Sequence, residues 1–229
     1  MLEKKKKLTK KQIKEDKLVT SYYQAQKFYE DNQSKILLAV GAIAIIIVAV
    51  FWYSSKVEQE NLTATTELAR VIPLYEQGSY LEAIDGKPGT NIMGLVKIVD
   101  EFGGSDQGEV ARIYLANAYY FTGKIDEALE EYDNYSGSNK LLSASAIAGK
   151  AACYEAKENF KEASNSYEKA ANIDKYNPQN PDYLLSAGKN YIKAGDKENA
   201  EEVLKELKES YKNSQAAREA DKYLSYLDI

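Results

Sequence analysis

Residues 112–132 read RIYLANAYYFTGKIDEALEEY, and a related pattern occurs twice more, at residues 147–167 and 184–204. The second copy reads IAGKAACYEAKENFKEASNSY and the third reads LLSAGKNYIKAGDKENAEEVL. When the copies are aligned, their shared tyrosines are 35 and 37 residues apart. A period of about 34 residues is typical of a repeated helix–turn–helix unit. The pattern therefore predicts an all-α fold of stacked helical hairpins.

All three copies share an aromatic residue, a small residue three places before it, and an alanine in the second helix. In that order they are Tyr119, Tyr154 and Tyr191; Ala116, Ala151 and Gly188; and Ala128, Ala163 and Ala200. Small side chains in both helices allow the helices to approach closely, and the aromatic rings fill the space between neighbouring hairpins. Because one hairpin cannot bury its own apolar side, we expect the hairpins to stack.

A fourth, weaker copy lies upstream, where Gly78 and Tyr80 repeat offsets of the first copy. Its first helix is predicted at about 57–77, as a continuation of the segment before it. Its second helix is displaced by DGKPGTNIMG at 85–94 and resumes as LVKIVDEF at 95–102.

The last helical pattern is SQAAREADKYLSYL at 214–227. Its apolar residues fall on one helical face, which is typical of the helix that caps a solenoid. Residues 54–229 are therefore predicted to form one solenoid of about four hairpins plus a capping helix.

The copies resemble the tetratricopeptide repeat (TPR) family, whose signature has large, small, aromatic and glycine residues at fixed offsets. The matching residues are Leu115, Ala116, Tyr119, Gly123, Ala128 and Tyr132 in the first copy, Ala151, Tyr154, Phe160, Ala163, Tyr167 and Ala170 in the second, and Leu184, Gly188, Tyr191, Gly195 and Ala200 in the third. Two positions depart from the signature, because the second copy has Lys150 in place of leucine and Glu158 in place of glycine. The resemblance implies a solenoid that binds other proteins.

Residues 36–53 read ILLAVGAIAIIIVAVFWY, with no charge and no proline. As a helix this run spans roughly 27 Å, which is enough for the hydrocarbon core of a bilayer. A cleaved signal peptide is disfavoured, because 35 residues precede the run and bulky Phe51, Trp52 and Tyr53 end it. We therefore predict a single-pass transmembrane helix, a signal anchor that holds the chain in the lipid bilayer.

Charge predicts the orientation of this helix. Residues 1–35 contain ten lysines and five acidic residues, whereas residues 54–229 contain 20 basic and 30 acidic residues, a net charge of −10. Lysine-rich flanks stay in the cytoplasm. We therefore expect a bacterial inner-membrane protein with its N-terminus in the cytoplasm and residues 54–229 in the periplasm. A eukaryotic organelle membrane is the alternative location.

The segment before the anchor is predicted in two parts. Residues 1–17 are lysine-rich and polar, and we expect a mobile basic cytoplasmic tail. Residues 18–35 place Leu18, Tyr22, Ala25 and Tyr29 on one helical face, which predicts a juxtamembrane amphipathic helix. This helix either lies on the inner leaflet or against another membrane protein, or it simply extends the anchor into water.

Composition excludes several classes of site. The chain has no histidine and one cysteine, Cys153. Ser-His-Asp and Cys-His catalysis are therefore impossible, and zinc or haem sites built on these residue types are ruled out. We predict no enzyme, no cofactor and no metal site. The acidic domain is also unsuited to nucleic acid, because phosphate binding requires clustered positive charge.

The TPR resemblance implies a peptide groove lined by the first helix of each hairpin. The residues it places in the groove are Val110, Ile113, Asn117, Tyr120 and Phe121 in the first copy and Leu185, Lys189 and Ile192 in the third. Some TPR domains bind a C-terminal carboxylate with an asparagine at the place of Asn117, but the accompanying lysine is replaced here by Ile113. The apolar and aromatic residues of the first copy suit an extended or helical peptide. Contact with the neighbouring repeat is the alternative role for each of them.

The layout of basic tail, anchor and outer solenoid resembles the ancillary TPR subunit of the Sec translocon, and also anchored TPR proteins of bacteria. The resemblance implies a membrane-anchored scaffold, with the translocon or periplasmic chaperones as candidate partners. The alternative is a structural subunit of a stable membrane complex, held mainly through its anchor and juxtamembrane helix. The partner and the oligomeric state do not follow from the residues.

Overall fold

The computed structural model describes residues 10–227, with side chains from Val19 onward, and these residues form ten helices and no β-strand. The helices are α1 (Lys10–Glu76), α2 (Tyr80–Asp85), α3 (Leu95–Phe102), α4 (Asp106–Phe121), α5 (Ile125–Asp133), α6 (Lys140–Ala156), α7 (Phe160–Ala171), α8 (Asn180–Lys193), α9 (Lys197–Ser210) and α10 (Gln215–Leu227). The chain divides into two compact units, Met1–Lys56 and Val57–Ile229.

In the first unit, helix α1 begins at Lys10, eight residues before the predicted start at Leu18. Residues 10–17, which the sequence pattern assigns to the basic tail, are helical, while residues 1–9 lie outside the described residues. Lysine, glutamate and glutamine are good helix formers, and adding a residue to an existing helix costs far less than starting a new one. Helix α1 continues without a break through 18–35 into 36–53, so the predicted juxtamembrane segment is helical.

The apolar segment 36–53 has no protein cover in the described residues. Its side chains are exposed, including Leu37, Ile45 and Phe51. Among residues 10–227, one helix is long and apolar enough to cross a membrane, judged by length and composition. A water-soluble protein rarely leaves such a surface uncovered, so the exposure agrees with the predicted anchor.

The second unit is the predicted helical solenoid, and its hairpins follow the repeat. The three clear copies form the pairs α4–α5, α6–α7 and α8–α9, and α10 packs on the last pair as the predicted cap. Upstream, the end of α1 buries Ala64, Leu68 and Val71 against α2, α3 and α4. The displaced second helix resumes at Leu95 as predicted, after a loop closed by an antiparallel bridge between Gly86 and Met93.

The core is a chain of three clusters along the solenoid. The first cluster is formed by the end of α1 with α2, α3 and α4, and the second by α4, α5 and α6. The third is formed by the five helices from α6 through α10. The shared alanines Ala128, Ala163 and Ala200 are fully buried, as are Ala116 and Ala151. In the third hairpin, a Cβ on Gly188 would lie 2.6 Å from the Leu204 side chain, so this position admits nothing larger than glycine without a shift. The predicted close approach of paired helices is therefore confirmed.

Each hairpin turn has one residue in the left-handed conformation. Gly78, Gly123 and Gly195 have φ of 78°, 80° and 77°, and Glu158 at the equivalent place in the second copy has φ of 60°. In all four turns this residue donates its N–H to the carbonyl three residues back, and the next residue donates to the carbonyl five back, as in Lys124 N to Tyr119 O at 2.9 Å. This Schellman arrangement ends the first helix. Glu158 therefore adopts a backbone conformation that disfavours residues with a Cβ.

We predict that Glu158→Gly stabilises the solenoid by about 1 kcal/mol, because glycine adopts this conformation without steric cost. Gly195→Ala should destabilise it by a similar amount, although a Cβ at Gly195 would meet no atom within 4 Å. Circular dichroism during thermal unfolding of the full chain in detergent would measure both. An unchanged midpoint for Glu158→Gly would show that this turn carries no backbone strain.

Candidate functional site

The start of helix α4 is fixed by contacts from three parts of the second unit. The Ser105 hydroxyl accepts a hydrogen bond from the Gly108 N–H at 3.1 Å, and Asn61 Oδ1 at the end of α1 accepts one from the Gln107 N–H at 2.8 Å. A Cβ on Gly108 would lie 1.8 Å from the carbonyl oxygen of Phe102, so only glycine allows α3 to approach α4 this closely. These contacts position α4, the helix with most of the predicted groove residues.

A charged network ties α4 to α5 and to the loop after it. Arg112 donates from Nη1 to Glu131 Oε2 at 2.7 Å and from Nε to Glu109 Oε1 at 3.4 Å. Glu109 also accepts the backbone N–H of Ser136 at 2.8 Å. Burial raises the pKa of Glu131, and the Arg112 guanidinium opposes this shift. The network holds the orientation of α4 because each of its buried charges has a partner.

Five aromatic rings meet where α1 ends, α2 begins and α4 passes. We call them the aromatic cluster: Tyr75, Tyr80, Tyr114, Tyr120 and Phe121. Tyr75 makes edge-on contacts with Tyr80 and Tyr114, with ring centroids 5.3 and 5.0 Å apart. Phe121 stacks on Tyr80 at 5.0 Å and an interplanar angle of 22°, and it contacts the edge of Tyr120 at 5.9 Å. Such ring geometries are attractive beyond the apolar area they bury.

The cluster is not fully covered. Phe121 is 58% exposed, and Leu81, next to Tyr80 on α2, is 59% exposed. The other four rings are half-buried. The cluster therefore presents a firm apolar surface to solvent, since contacts between the rings hold each of them in place.

The predicted groove residues of the first copy have different surroundings. Val110 is half-buried against the first core cluster, and Ile113 is buried in the second, so Ile113 has little surface to offer a ligand. Asn117 Oδ1 accepts the Tyr132 hydroxyl of α5, so this amide oxygen already has a partner inside the hairpin. Burial raises the pKa of Tyr132, which keeps its hydroxyl a donor. Only Tyr120 and Phe121 lie in the aromatic cluster.

The predicted groove residues of the third copy are mostly engaged within the fold. Leu185 is buried in the third core cluster, and Ile192 is half-buried against it. Lys189 lies 3.6 Å from Glu219 of α10 and 5.6 Å from the centre of the Tyr223 ring. None of these residues therefore belongs to the aromatic cluster of the first copy, and Lys189 contacts the capping helix instead.

Three residues of the cluster, Tyr75, Tyr80 and Tyr114, were not among the predicted groove residues. Tyr114 follows Ile113 at a place that the TPR pattern does not assign to the groove. Tyr75 lies in the weaker upstream copy, where no offset predicts a contact with Tyr114. Tyrosines are frequent around these positions, and this could have indicated an aromatic surface. However, the chain contains 19 tyrosines, so a high local frequency of tyrosine does not single out one site.

The described residues offer little for chemistry. No group of three or more Asp, Glu, Cys or His side chains among residues 19–227 is placed to hold a metal ion. Cys153 is fully buried, and burial raises the pKa of its thiol to about 11, so it is protonated at neutral pH and shielded from reagents.

Comparison with known structures identifies the architecture. A crystal structure of a tetratricopeptide repeat protein from Parabacteroides merdae ATCC 43184 aligns with a TM-score of 0.56 at 17% identity, covering 73% of this chain and 60% of that one. A protein from Podosopora anserina, described as a kinesin light chain with nearly identical TPR-like repeats, aligns at 0.55 and 15% identity, covering 71% and 84%. The chain has the TPR fold.

The sequence comparison is narrower. The tetratricopeptide repeat family pattern matches residues 182–214, which hold most of the third TPR hairpin. No curated protein sequence matches the chain. The other hairpins are thus identified as TPR-like by their structure. TPR proteins are typically scaffolds without enzyme activity, and they bind other proteins.

We predict that Arg112→Met lowers the free energy of unfolding by about 2–3 kcal/mol, because Glu109 and Glu131 lose the cation between them. The control is Lys97→Met, since Lys97 makes an exposed pair with Glu101 at 3.6 Å and its loss should change stability by about 0.5 kcal/mol or less. Thermal unfolding of the full chain in detergent, followed by circular dichroism, would compare the two. Equal effects would mean that the network does not stabilise α4.

Proposed function

We propose that this protein is a membrane-anchored TPR scaffold that recruits other proteins at the outer face of a bacterial inner membrane. The single observation that carries this proposal is the aromatic cluster, an apolar surface that the first clear hairpin forms with the end of α1 and with α2. Exposed aromatic side chains on a firm backbone are typical of protein-interaction sites, because they bury a large apolar area with little loss of conformational freedom.

The proposed organisation has four parts. Residues 1–17 form a basic cytoplasmic segment, 18–35 a juxtamembrane helix, 36–53 the transmembrane helix and 54–229 the periplasmic solenoid. The lysine excess before residue 36 and the exposed apolar surface of residues 36–53 support this topology. The Sec translocon and periplasmic chaperones remain candidate partners by resemblance of layout.

A second candidate function is a structural subunit of a membrane complex, and one observation favours it. The helix before the anchor exposes several large apolar side chains: Val19, Tyr22, Tyr23, Phe28 and Tyr29. Tyr22 and Tyr29 belong to the predicted amphipathic face. In this case the anchor and juxtamembrane helix would contact the partner, and the aromatic cluster would stay unoccupied.

One capture experiment separates the two functions. Tagged full-length protein is purified from native membranes in mild detergent, as wild type, as Phe121→Ala and as Tyr22→Ala/Tyr29→Ala. The scaffold function predicts that Phe121→Ala loses its co-purifying proteins at least about tenfold, because a central aromatic anchor at an interface contributes about 2 kcal/mol or more. The tyrosine variant should retain them.

The capture experiment needs a control for folding. Phe121 is exposed, so Phe121→Ala should affect stability as little as an ordinary surface substitution does. We expect the unfolding midpoint to stay within about 2 °C of wild type. If Phe121→Ala retains every partner while the tyrosine variant loses them, the scaffold proposal is wrong and the structural-subunit function is favoured.

Orientation has its own test. We expect residues 54–229 to be digested when protease is added to intact spheroplasts, because the lysine-rich flank holds the N-terminus in the cytoplasm. Tags at the two ends report the result by immunoblot: the C-terminal tag should disappear and the N-terminal tag should remain on a short fragment. Washing the membranes with alkaline carbonate is the control for anchoring, because a protein with a transmembrane helix should stay in the membrane fraction. Survival of the C-terminal tag in intact spheroplasts, with loss in lysed ones, would reverse the topology.

A further inference from the structure

Charge is distributed unevenly along the second unit. Residues 57–139 carry 15 acidic and five basic residues, a net charge of −10, whereas residues 140–227 carry 14 of each. The whole aromatic cluster belongs to the first stretch. A local excess of one sign produces a potential that attracts partners of the opposite sign. The cluster therefore lies within the negative potential of the solenoid.

Among the described residues, lysines lie over many aromatic rings of the solenoid, but no lysine lies over a ring of the aromatic cluster. The covered rings are Tyr119, Tyr154, Phe160, Tyr176, Tyr191 and Tyr223, with Nζ 4.8–6.0 Å from the ring centroid. An ammonium group over a ring face is attracted by the electrons of the ring. Among the described side chains, no cation thus competes for the five rings of the cluster.

Exposed carboxylates lie on two of the elements that build the cluster and on the helix that follows α4. Glu76 follows Tyr75 at the end of α1, Asp85 ends the helix that begins with Tyr80, and Glu127 lies in the first turn of α5. Among the described residues, none of these three carboxylates has a lysine or arginine within ion-pair distance. Their charge is therefore available to an incoming cation.

For an anionic partner, the first clear hairpin has no unengaged basic side chain among its described residues. The two basic side chains of the first hairpin are already engaged, because Arg112 contacts Glu109 and Glu131 and the Nζ of Lys124 lies 5.4 Å from the centre of the Tyr119 ring. Ile113 occupies the place of the lysine that binds a carboxylate in some TPR domains. Acidic peptides and anionic lipid surfaces are therefore disfavoured at this end of the solenoid.

We propose that the aromatic cluster binds a cationic segment of a partner protein, in which lysine or arginine residues alternate with large apolar residues. The inference rests on the proposed function, because it takes the cluster as the docking surface and adds the chemistry of the partner. The apolar residues cover Phe121 and Leu81. The cations contact the faces of the tyrosine rings and the carboxylates of Glu76, Asp85 and Glu127.

The probes are three short synthetic peptides with the same phenylalanine and leucine residues and with lysine, glutamine or glutamate at every polar position. Each is labelled with fluorescein and titrated with the full chain in phosphatidylcholine nanodiscs, whose lipid has no net charge. Empty nanodiscs measure binding to lipid. We expect the lysine peptide to bind at least about tenfold more tightly than the glutamate peptide at low salt, with a smaller difference at high salt because exposed charges are screened.

Matched variants locate the charge effect. Glu76→Gln/Asp85→Asn/Glu127→Gln should weaken the lysine peptide about five- to tenfold, as expected for the loss of several exposed charge contacts. The control Glu198→Gln/Glu202→Gln/Glu209→Gln removes as many exposed charges from α9, and it should change the affinity less than about twofold. Phe121→Ala should weaken the binding of the lysine and glutamine peptides alike, because it removes the shared apolar contact.

The outcomes distinguish the inference from the proposed function. If the lysine and glutamine peptides bind equally and Phe121→Ala weakens both, the docking surface stands and the cationic partner is wrong. If the two triple variants have the same effect on the lysine peptide, attraction is general to the acidic domain and the inference also fails. If Phe121→Ala changes no peptide affinity, the aromatic cluster is not a docking surface, and the proposed function fails with it.

Discussion

No hairpin of this chain can bury its apolar side alone, and the rest of the structure follows from that constraint. The two helices of a hairpin must pack closely enough to leave one continuous apolar face, which requires the buried small residues Ala116, Ala151 and Gly188. The next hairpin then covers that face, so the core forms as a series of clusters that share helices. The series ends at α10, whose outward residues are mostly polar.

The repeat explains which parts of this fold could be predicted from sequence. Positions such as Ala128 and Gly123 have the same structural role in every copy of the repeat. The burial of Ala128 and the turn conformation of Gly123 therefore follow from the spacing alone. Glu158 shows that the place in the repeat decides the backbone, since a non-glycine residue there still adopts positive φ. The start of α1 at Lys10 was missed, because a lysine-rich segment is equally typical of a mobile tail and of a solvated helix.

The candidate site was harder to predict, for a physical reason. Tyr75 and Tyr114 meet across 39 positions of sequence, through a hairpin whose second helix is interrupted at 86–94, so no periodicity relates them. Asn117 was predicted from its place on the groove, but its amide oxygen accepts a hydrogen bond from Tyr132. Offsets identify the face of a helix, whereas the identity of the neighbour on that face depends on tertiary packing. Of the predicted groove residues of the first copy, Phe121 is exposed because its neighbours leave it uncovered, whereas Tyr120 is half-buried.

Aromatic rings have different surroundings in the later hairpins and in the first clear hairpin. In the later hairpins, lysines of neighbouring helices lie over the rings, as Lys161 does over Tyr191 and Lys193 over Phe160, and such contacts connect adjacent hairpins. The first clear hairpin has an excess of carboxylates and an uncovered Phe121. Complete burial of a large apolar ring contributes about 2 kcal/mol to folding, and Phe121, which is partly covered by Tyr80, gains only part of this. Tyr176 and Tyr226 are also exposed, so exposure alone does not mark a binding surface. The aromatic cluster differs because its rings contact one another and three of them lie on the firmly held α4, an arrangement that suits the proposed docking role.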